Sequence, residues 1–349
     1  MLFVVLAGVI WGIGAALKAP PAQRAAGVAA LWAAFVLGAL ALPAESALRA
    51  ATGASPAPWL LLGAAVALVM AYRAGMARLR RRIAAAAPAV AAPRLALSDA
   101  ELDRYARHIV LREVGGTGQK ALKSARVLVV GAGGLGSPAL LYLAASGVGT
   151  LGVIDDDSVA ASNLQRQIIH TDDRIGMAKV RSAAIAIRAL NPFVTVRPYE
   201  RRLTADIAAD LFADYDVILD GSDNFATRYL VNAAAIAAGK PLVSGALTQW
   251  EGQISLFHPV RGGPCYRCVF PEAPAPGLAP SCAEAGVIAP LPGVIGAMMA
   301  LEAVKAITGA GEGLRGQMLI YDGLWGETRR IAVARRADCP DCGAIDHLA

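Results

Sequence analysis

Histidine is scarce: there are four in 349 residues. His108, His170, His258 and His347 show no ligand-like spacing, so an imidazole-built metal centre is not expected. Charge is also sparse, at 17% of residues. Much of the net +6 sits in one cluster, Arg73, Arg78, Arg80, Arg81 and Arg82. The rest is near balance, which argues against a nucleic-acid surface. No internal repeat is visible. Met1-Leu2-Phe3 carries no positive charge, which argues against a cleaved secretory signal. Cysteine occurs five times, as two CxxC pairs and a single residue. That odd count is not a disulfide framework, and it suits a reducing compartment.

Apolar residues are abundant, at 56%, and the excess lies before about residue 75. Runs at 1–17, 25–42 and 59–72 are each near the lower limit of about 17 residues for crossing a bilayer. Residues 1–75 are therefore expected to form about three transmembrane helices, and a membrane is an expected partner. The alternative is an apolar helical hairpin packed on a soluble domain. Lys18 and Arg24 follow the first run and the arginine cluster follows the third. Glu45 and Arg49 lie between the second and third. The positive-inside rule then gives a multi-pass protein of the inner (cytoplasmic) membrane, with the remainder of the chain cytoplasmic. Residues 76–97 read as a basic, Ala/Pro-rich linker, and residues 98–349 as one domain.

Ser98 and Glu101 form a capping box, so a helix is expected over 99–109. Beyond Arg126, short apolar runs at 127–130, 151–154, 217–219 and 242–243 fit buried strands. Helical patterns at 137–146, 177–190 and 226–238 fall between them. This alternation predicts an α/β fold: a doubly wound, Rossmann-like, mostly parallel sheet. Runs at 253–257, 318–321 and 330–333 predict an added antiparallel section.

Gly131-Ala132-Gly133-Gly134-Leu135-Gly136 follows a strand and opens a helix. Glycines such as Gly131, Gly133 and Gly134 let phosphate approach the backbone, and the helix start offers free N–H groups. Asp155 ends the next strand, where a carboxylate can hold ribose hydroxyls. Alone, this turn leaves NAD, FAD and ATP open. Ser162, Asn163, Gln165, Arg166, Lys179, Asp223 and Asn224 follow at positions that a parallel sheet brings toward the same end. The Arg166–Lys179 cation pair matches charge building on a triphosphate, and Asp223 suits Mg²⁺. Cys265, Cys268, Cys339 and Cys342 read as a closed four-cysteine zinc knuckle with a structural role.

Several motifs occur in the order found in the ubiquitin-activating-enzyme-like superfamily. They are Arg104-Tyr105-Ala106-Arg107, Gly115 to Gln119, the Gly-rich turn, Ser162 to Gln167 and Asp223-Asn224. Val243-Ser244-Gly245, Glu251-Gly252-Gln253 and Pro264-Cys265-Tyr266-Arg267-Cys268 complete the series. From about Ser98 onward the chain resembles the molybdopterin-synthase adenylyltransferase (MoeB) branch, with the thiamine-pathway ThiF branch next. The resemblance implies ATP-dependent adenylation of the C-terminal Gly-Gly carboxylate of a ubiquitin-fold sulfur-carrier protein, with release of pyrophosphate. It implies nucleotide contacts at Gly134 and Asp155, and ribose and phosphate contacts at Asn163, Arg166 and Lys179. It further implies Mg²⁺ at Asp223 with Asn224 beside it. A homodimer follows too, in which Arg107 reaches the partner's phosphates. Cys282 lies in a stretch similar to the crossover loop of that superfamily and is a candidate for a later thiol step. His108 stands where Gln is usual, and Gly221 where Cys is frequent. Two other readings remain. An NAD-dependent Rossmann oxidoreductase explains the turn and Asp155 but not Arg166, Lys179, Asp223 or the cysteines. A non-catalytic membrane adapter predicts loss of the charged set, and none is lost.

Overall fold

The computed structural model describes residues 2–17, 19–43, 45–46, 49, 55–86, 96–275 and 285–345. Cys282, Lys18 and His347 lie outside these residues, as does the 87–95 part of the expected linker. The chain forms two compact units, Met1–Ala92 and Pro93–Ala349.

The first unit contains helices Leu2–Ala16, Pro21–Ala41 and Ala57–Ala86. Pro21 starts its helix at a position where a missing N–H costs nothing. Phe3, Phe35 and Trp59 join the helices edge to face, with ring centroids 4.9 to 5.4 Å apart. The Trp32 ring needs Gly63, because a β-carbon there would approach it to 2.3 Å. Most large apolar side chains nevertheless face outward; Val4, Leu61 and Leu68 are each 72% exposed. The third helix continues well past the apolar run and takes in the arginine cluster, so the first part of the expected linker is helical. Leu2–Ala16 and Ala57–Tyr72 are apolar but short, and Gln23–Ala41 alone in this unit has the length and composition of a span among the described residues.

The second unit is built on one eight-stranded sheet. Parallel strands β1 (Arg126–Val130), β2 (Thr150–Asp155), β3 (Thr195–Glu200), β4 (Val217–Asp220) and β5 (Leu242–Leu247) make one half of it. β6 (Glu251–Phe257), β7 (Gln317–Asp322) and β8 (Glu327–Ala332) add the antiparallel section. Across the sheet the order is β3-β2-β1-β4-β5-β6-β7-β8. β1 is a continuous apolar run because both its faces are covered. On one face Val127 and Val129 pack with Leu140, Ile187 and Ile295. On the other, Leu128 and Val130 pack with Phe212 and Val231.

The structure adds to or departs from the sequence pattern in four places. The 99–109 helix is two pieces, Asp99–Arg104 and Ala106–Ile109, broken at Tyr105. That side chain is buried and accepts a hydrogen bond from Asn191 Nδ2 at 2.8 Å. β3 is absent from the sequence pattern because it is an edge strand that buries little beyond Val196 and carries Pro198. Pro290–Thr308 is as long and apolar as a membrane span, yet Leu291, Ile295, Met299 and Ala303 are buried in the core. Its Gly296 permits contact with the helix Gly136–Ala145, since a β-carbon there would lie 2.5 Å from Leu135 O. β8 begins at Glu327, ahead of the apolar pattern at 330–333.

Candidate functional site

Strand order reverses beside β1: β2 lies on one side and β4 on the other. Ligands of open α/β sheets bind at the carboxyl ends of strands at such a point. Gly131 leaves β1 there with φ of 92°, in the left-handed region that favours glycine. Gly136 must also lack a side chain, because its β-carbon would lie 1.9 Å from Gly131 O. The turn is thus folded back on itself at the start of the helix Gly136–Ala145. An open concavity lined by Ser124, Arg126, Asp216 and Pro241 is at the opposite, amino-terminal end of β1 and β4.

Asp155, at the end of β2, is tied to the turn. Its Oδ2 accepts from Ala132 N–H at 2.7 Å and its Oδ1 from Asp157 N–H at 2.8 Å. Burial raises this carboxyl above the ordinary aspartate range against those two donors. Lys179 begins the helix Lys179–Leu190. Its side chain is 5% exposed, and its Nζ meets Asp157 Oδ2 at 2.7 Å.

Residues Ala161–Asn163 form one 3-10 turn. Arg166 donates from Nη2 to Asn163 Oδ1 at 3.2 Å and from Nη1 to Ser162 O at 3.5 Å. Its Cδ would lie 3.7 Å from a β-carbon on Gly134, and Gln167 Nε2 would lie 3.6 Å from one on Gly133. The 162–167 segment therefore lies over the Gly-rich turn. Gln165 is exposed and donates to Val287 O at 3.4 Å.

Past β4, Asp223 is exposed and, among the described residues, holds only a long contact, 3.5 Å, from Asn224 Nδ2. Its carboxylate keeps lone pairs free for a hard cation. Asn224 caps the helix Phe225–Ala237 by accepting from Thr227 N–H at 2.9 Å. The loop before it is fixed by buried Arg228, which donates to Gly245 O at 2.9 Å and to Ser222 O. Arg228 also faces buried Asp220 at 3.8 Å.

The structure thus gathers Gly131, Gly133, Gly134, Asp155, Asn163, Arg166, Lys179 and the Asp223 loop around the switch point. Ser162 lends its carbonyl. Arg107 is exposed on its short helix and has no hydrogen-bond partner among the described residues, so it is not drawn into this set. Four supporting residues escape the sequence reading. Asp157 is hidden in an acidic triplet, and Gln167 stands at the end of a motif already noted. Arg228 is one arginine among many. His170 lacks ligand spacing, yet it joins Ala132 O to Ser182 Oγ, 2.9 Å from each.

Elsewhere, Cys265, Cys268, Cys339 and Cys342 converge, all buried, with ligand atoms within 4.8 Å of one another. The Sγ separations are 3.8 Å for Cys265–Cys268, 3.6 Å for Cys265–Cys339 and 3.4 Å for Cys268–Cys342. Four thiolates about 2.3 Å from a tetrahedral zinc are about 3.8 Å apart, so the donor set fits that ion. Burial pushes the Cys342 thiol up to about 12 and raises Cys265 as well, whereas Cys268 is held below the usual thiol range, its burial outweighed by backbone hydrogen bonds. Asp155, Asp156 and Asp157 also cluster. Backbone N–H groups, Arg202 and Lys179 already match their charge.

The ThiF family profile matches residues 105–342. A sulfur carrier protein adenylyltransferase of Thermus thermophilus is 51% identical over 247 residues, 70% of this chain and 91% of that protein. The probable adenylyltransferase/sulfurtransferase MoeZ of Mycobacterium tuberculosis is 51% identical over 256 residues, 72% of this chain, and the match spans 65% of MoeZ. Among solved structures, E. coli MccB with MccA-N7isoASN superposes with a TM-score of 0.61 at 21% identity. The match covers 71% of this chain and 76% of that one, a likeness of fold.

Proposed function

The chain belongs to the ThiF family, and from that premise we propose that it adenylates the C-terminal Gly-Gly carboxylate of a ubiquitin-fold sulfur-carrier protein. A carboxylate oxygen of the carrier attacks the α-phosphorus of ATP, the bond to the β-phosphate breaks, and pyrophosphate leaves. The observation that carries this reading is the convergence of the Gly-rich turn, Asp155, Arg166, Lys179 and the Asp223 loop at the carboxyl ends of β1, β2 and β4. Fixed cations aimed at a transferring phosphoryl group stabilise developing charge without reorganisation. A hydride-transfer site has no use for two such cations and a free carboxylate.

Gly131, Gly133, Gly134 and Asp155 hold the nucleotide in this reading, and Ser162, Asn163 and Gln165 border it. Arg166 and Lys179 face the phosphates. Asp223, beside Asn224, would hold Mg²⁺, which supplies charge neutralisation on the triphosphate. The four cysteines would hold one structural Zn²⁺. The resemblance to the MoeB branch favours a carrier of molybdopterin synthesis. Exposed Arg107 supports a homodimer in which it serves the neighbouring site, and Cys282 is a candidate for a step after adenylation but is not needed for adenylation itself. The outward apolar faces of the first unit support attachment to the inner membrane, with the second unit cytoplasmic.

The test is ATP–pyrophosphate exchange with purified carriers that end in Gly-Gly. Arg166→Ala, Lys179→Ala and Asp223→Ala each lower the rate on the order of 10²-fold, whereas Cys282→Ala leaves it unchanged. Wild-type exchange in the three charge variants, or none with any carrier, refutes the reading.

A further inference from the structure

Lys179 is the most enclosed cation at the switch point, and its neighbour Asp157 has been given no role. The two residues are joined twice. The Lys179 backbone N–H donates to Asp157 O at 2.9 Å, and its Nζ donates to Asp157 Oδ2 at 2.7 Å. The backbone between them is set by a short antiparallel bridge, Ser158 with Ala178. Flanking bonds run from Val159 N–H to Met177 O and from Gly176 N–H to Val159 O, both 2.9 Å. Asp157 in turn donates its own N–H to Asp155, and Asp155 accepts from Ala132 in the Gly-rich turn. An unbroken chain of hydrogen bonds therefore runs from the turn through Asp155 and Asp157 to the lysine.

The exposures differ sharply across the pair: 5% for the Lys179 side chain and 66% for Asp157. A lysine stem enclosed to that degree has one direction left for its charge, and the carboxylate fixes it. One N–H of the ammonium is used by Asp157, and an ammonium has three. Two remain for an anion.

We propose that Asp157 is a positioning residue for Lys179, holding the ammonium at a fixed offset from the Gly-rich turn so that both meet one triphosphate. This rests on the ATP-binding reading above. It assigns to Asp157 no contact with substrate; the carboxylate acts through the lysine.

The experiment measures binding of the non-hydrolysable analogue AMPCPP with Mg²⁺ to the full chain in detergent, by titration calorimetry. Asp157→Asn weakens binding on the order of tenfold, the scale of one charge-assisted hydrogen bond, and Asp157→Glu recovers part of it. Lys179→Ala weakens binding as well. The double variant Asp157→Asn/Lys179→Ala binds no more weakly than Lys179→Ala alone, because a residue that acts only through another has no effect once that one is gone. Asp156→Asn, which removes a neighbouring carboxylate paired to Arg202 at 3.1 Å, leaves binding unchanged and controls for local charge. Thermal melting of each variant separates lost folding from lost affinity. Equal losses from Asp157→Asn with and without Lys179 overturn the proposal, as does wild-type affinity in Asp157→Asn. So does an equal loss in Asp156→Asn. Failure of the unmutated chain to bind the analogue refutes the ATP reading instead.

Discussion

Gly131 and Gly221 face each other across the switch point, with Gly221 O 3.1 Å from where a β-carbon on Gly131 would sit. Two constraints meet at Gly131, the contact and a φ of 92°. The obstacle is backbone, so no side chain can swing aside. Gly131→Ala is expected to lower stability by about 1–3 kcal/mol and to widen the gap between the turn and the Asp223 loop. Urea unfolding reads the first effect, and AMPCPP affinity the second. Unchanged values in both would show that the turn relaxes freely.

The cysteine cluster ties the end of the chain to the body of the second unit. Arg336 N–H donates to Cys268 Sγ at 3.4 Å, and Asn232 links Tyr266 N–H to Asp341, 2.8 Å from each. Protein purified under reducing conditions is expected to carry one zinc per chain by metal analysis. Ligand binding and folding are coupled at such sites, so Cys339→Ser should lower the melting temperature more than it lowers the exchange rate of the protein that remains folded. Metal-free wild-type protein of equal stability would contradict this.

The strands covered on both faces are legible in the sequence because burial on two sides leaves a continuous apolar run, as in β1. β3 is not, since one Val and a Pro at a sheet edge leave no pattern to read. The site is legible in its charged residues and glycines, whose types are dictated by phosphate. Its supports are not: Arg228 and His170 act through buried hydrogen bonds to carbonyls, and such bonds have no spacing in the sequence. Pro290–Thr308 shows the converse. Its composition suits a membrane, and only its packing against Leu135 and Pro138 reveals a core helix.

His170 gives the fold a pH dependence. Burial holds its imidazole below the usual histidine range, and His258 is lowered for the same cause. The unfolded chain takes up a proton near pH 6.5, whereas the folded chain does so at lower pH. The stability contribution is therefore complete above about pH 6.5 and is lost as pH falls through the folded value. Melting temperature should decline from about pH 7 toward about pH 5, and His170→Gln should shrink that decline. A variant with an undiminished decline would assign it to other groups.

The first unit yields the last prediction. Its helices pack an aromatic trio together but leave Val4, Leu61 and Leu68 each 72% exposed. Burying one such side chain is worth about 1.5–3 kcal/mol, so several together favour a lipid environment over water. Leu2–Ala16 and the apolar part of Ala57–Ala86 are shorter than Gln23–Ala41, and a short span can be met by local thinning of the bilayer at modest cost. The full chain is expected in the membrane fraction after an alkaline carbonate wash. A chain beginning at Leu95 keeps the whole ThiF match from residue 105 and the sheet with its own core, so it should be soluble and active in exchange. Recovery of the full chain in the wash would assign the outward apolar faces to a protein partner instead of lipid.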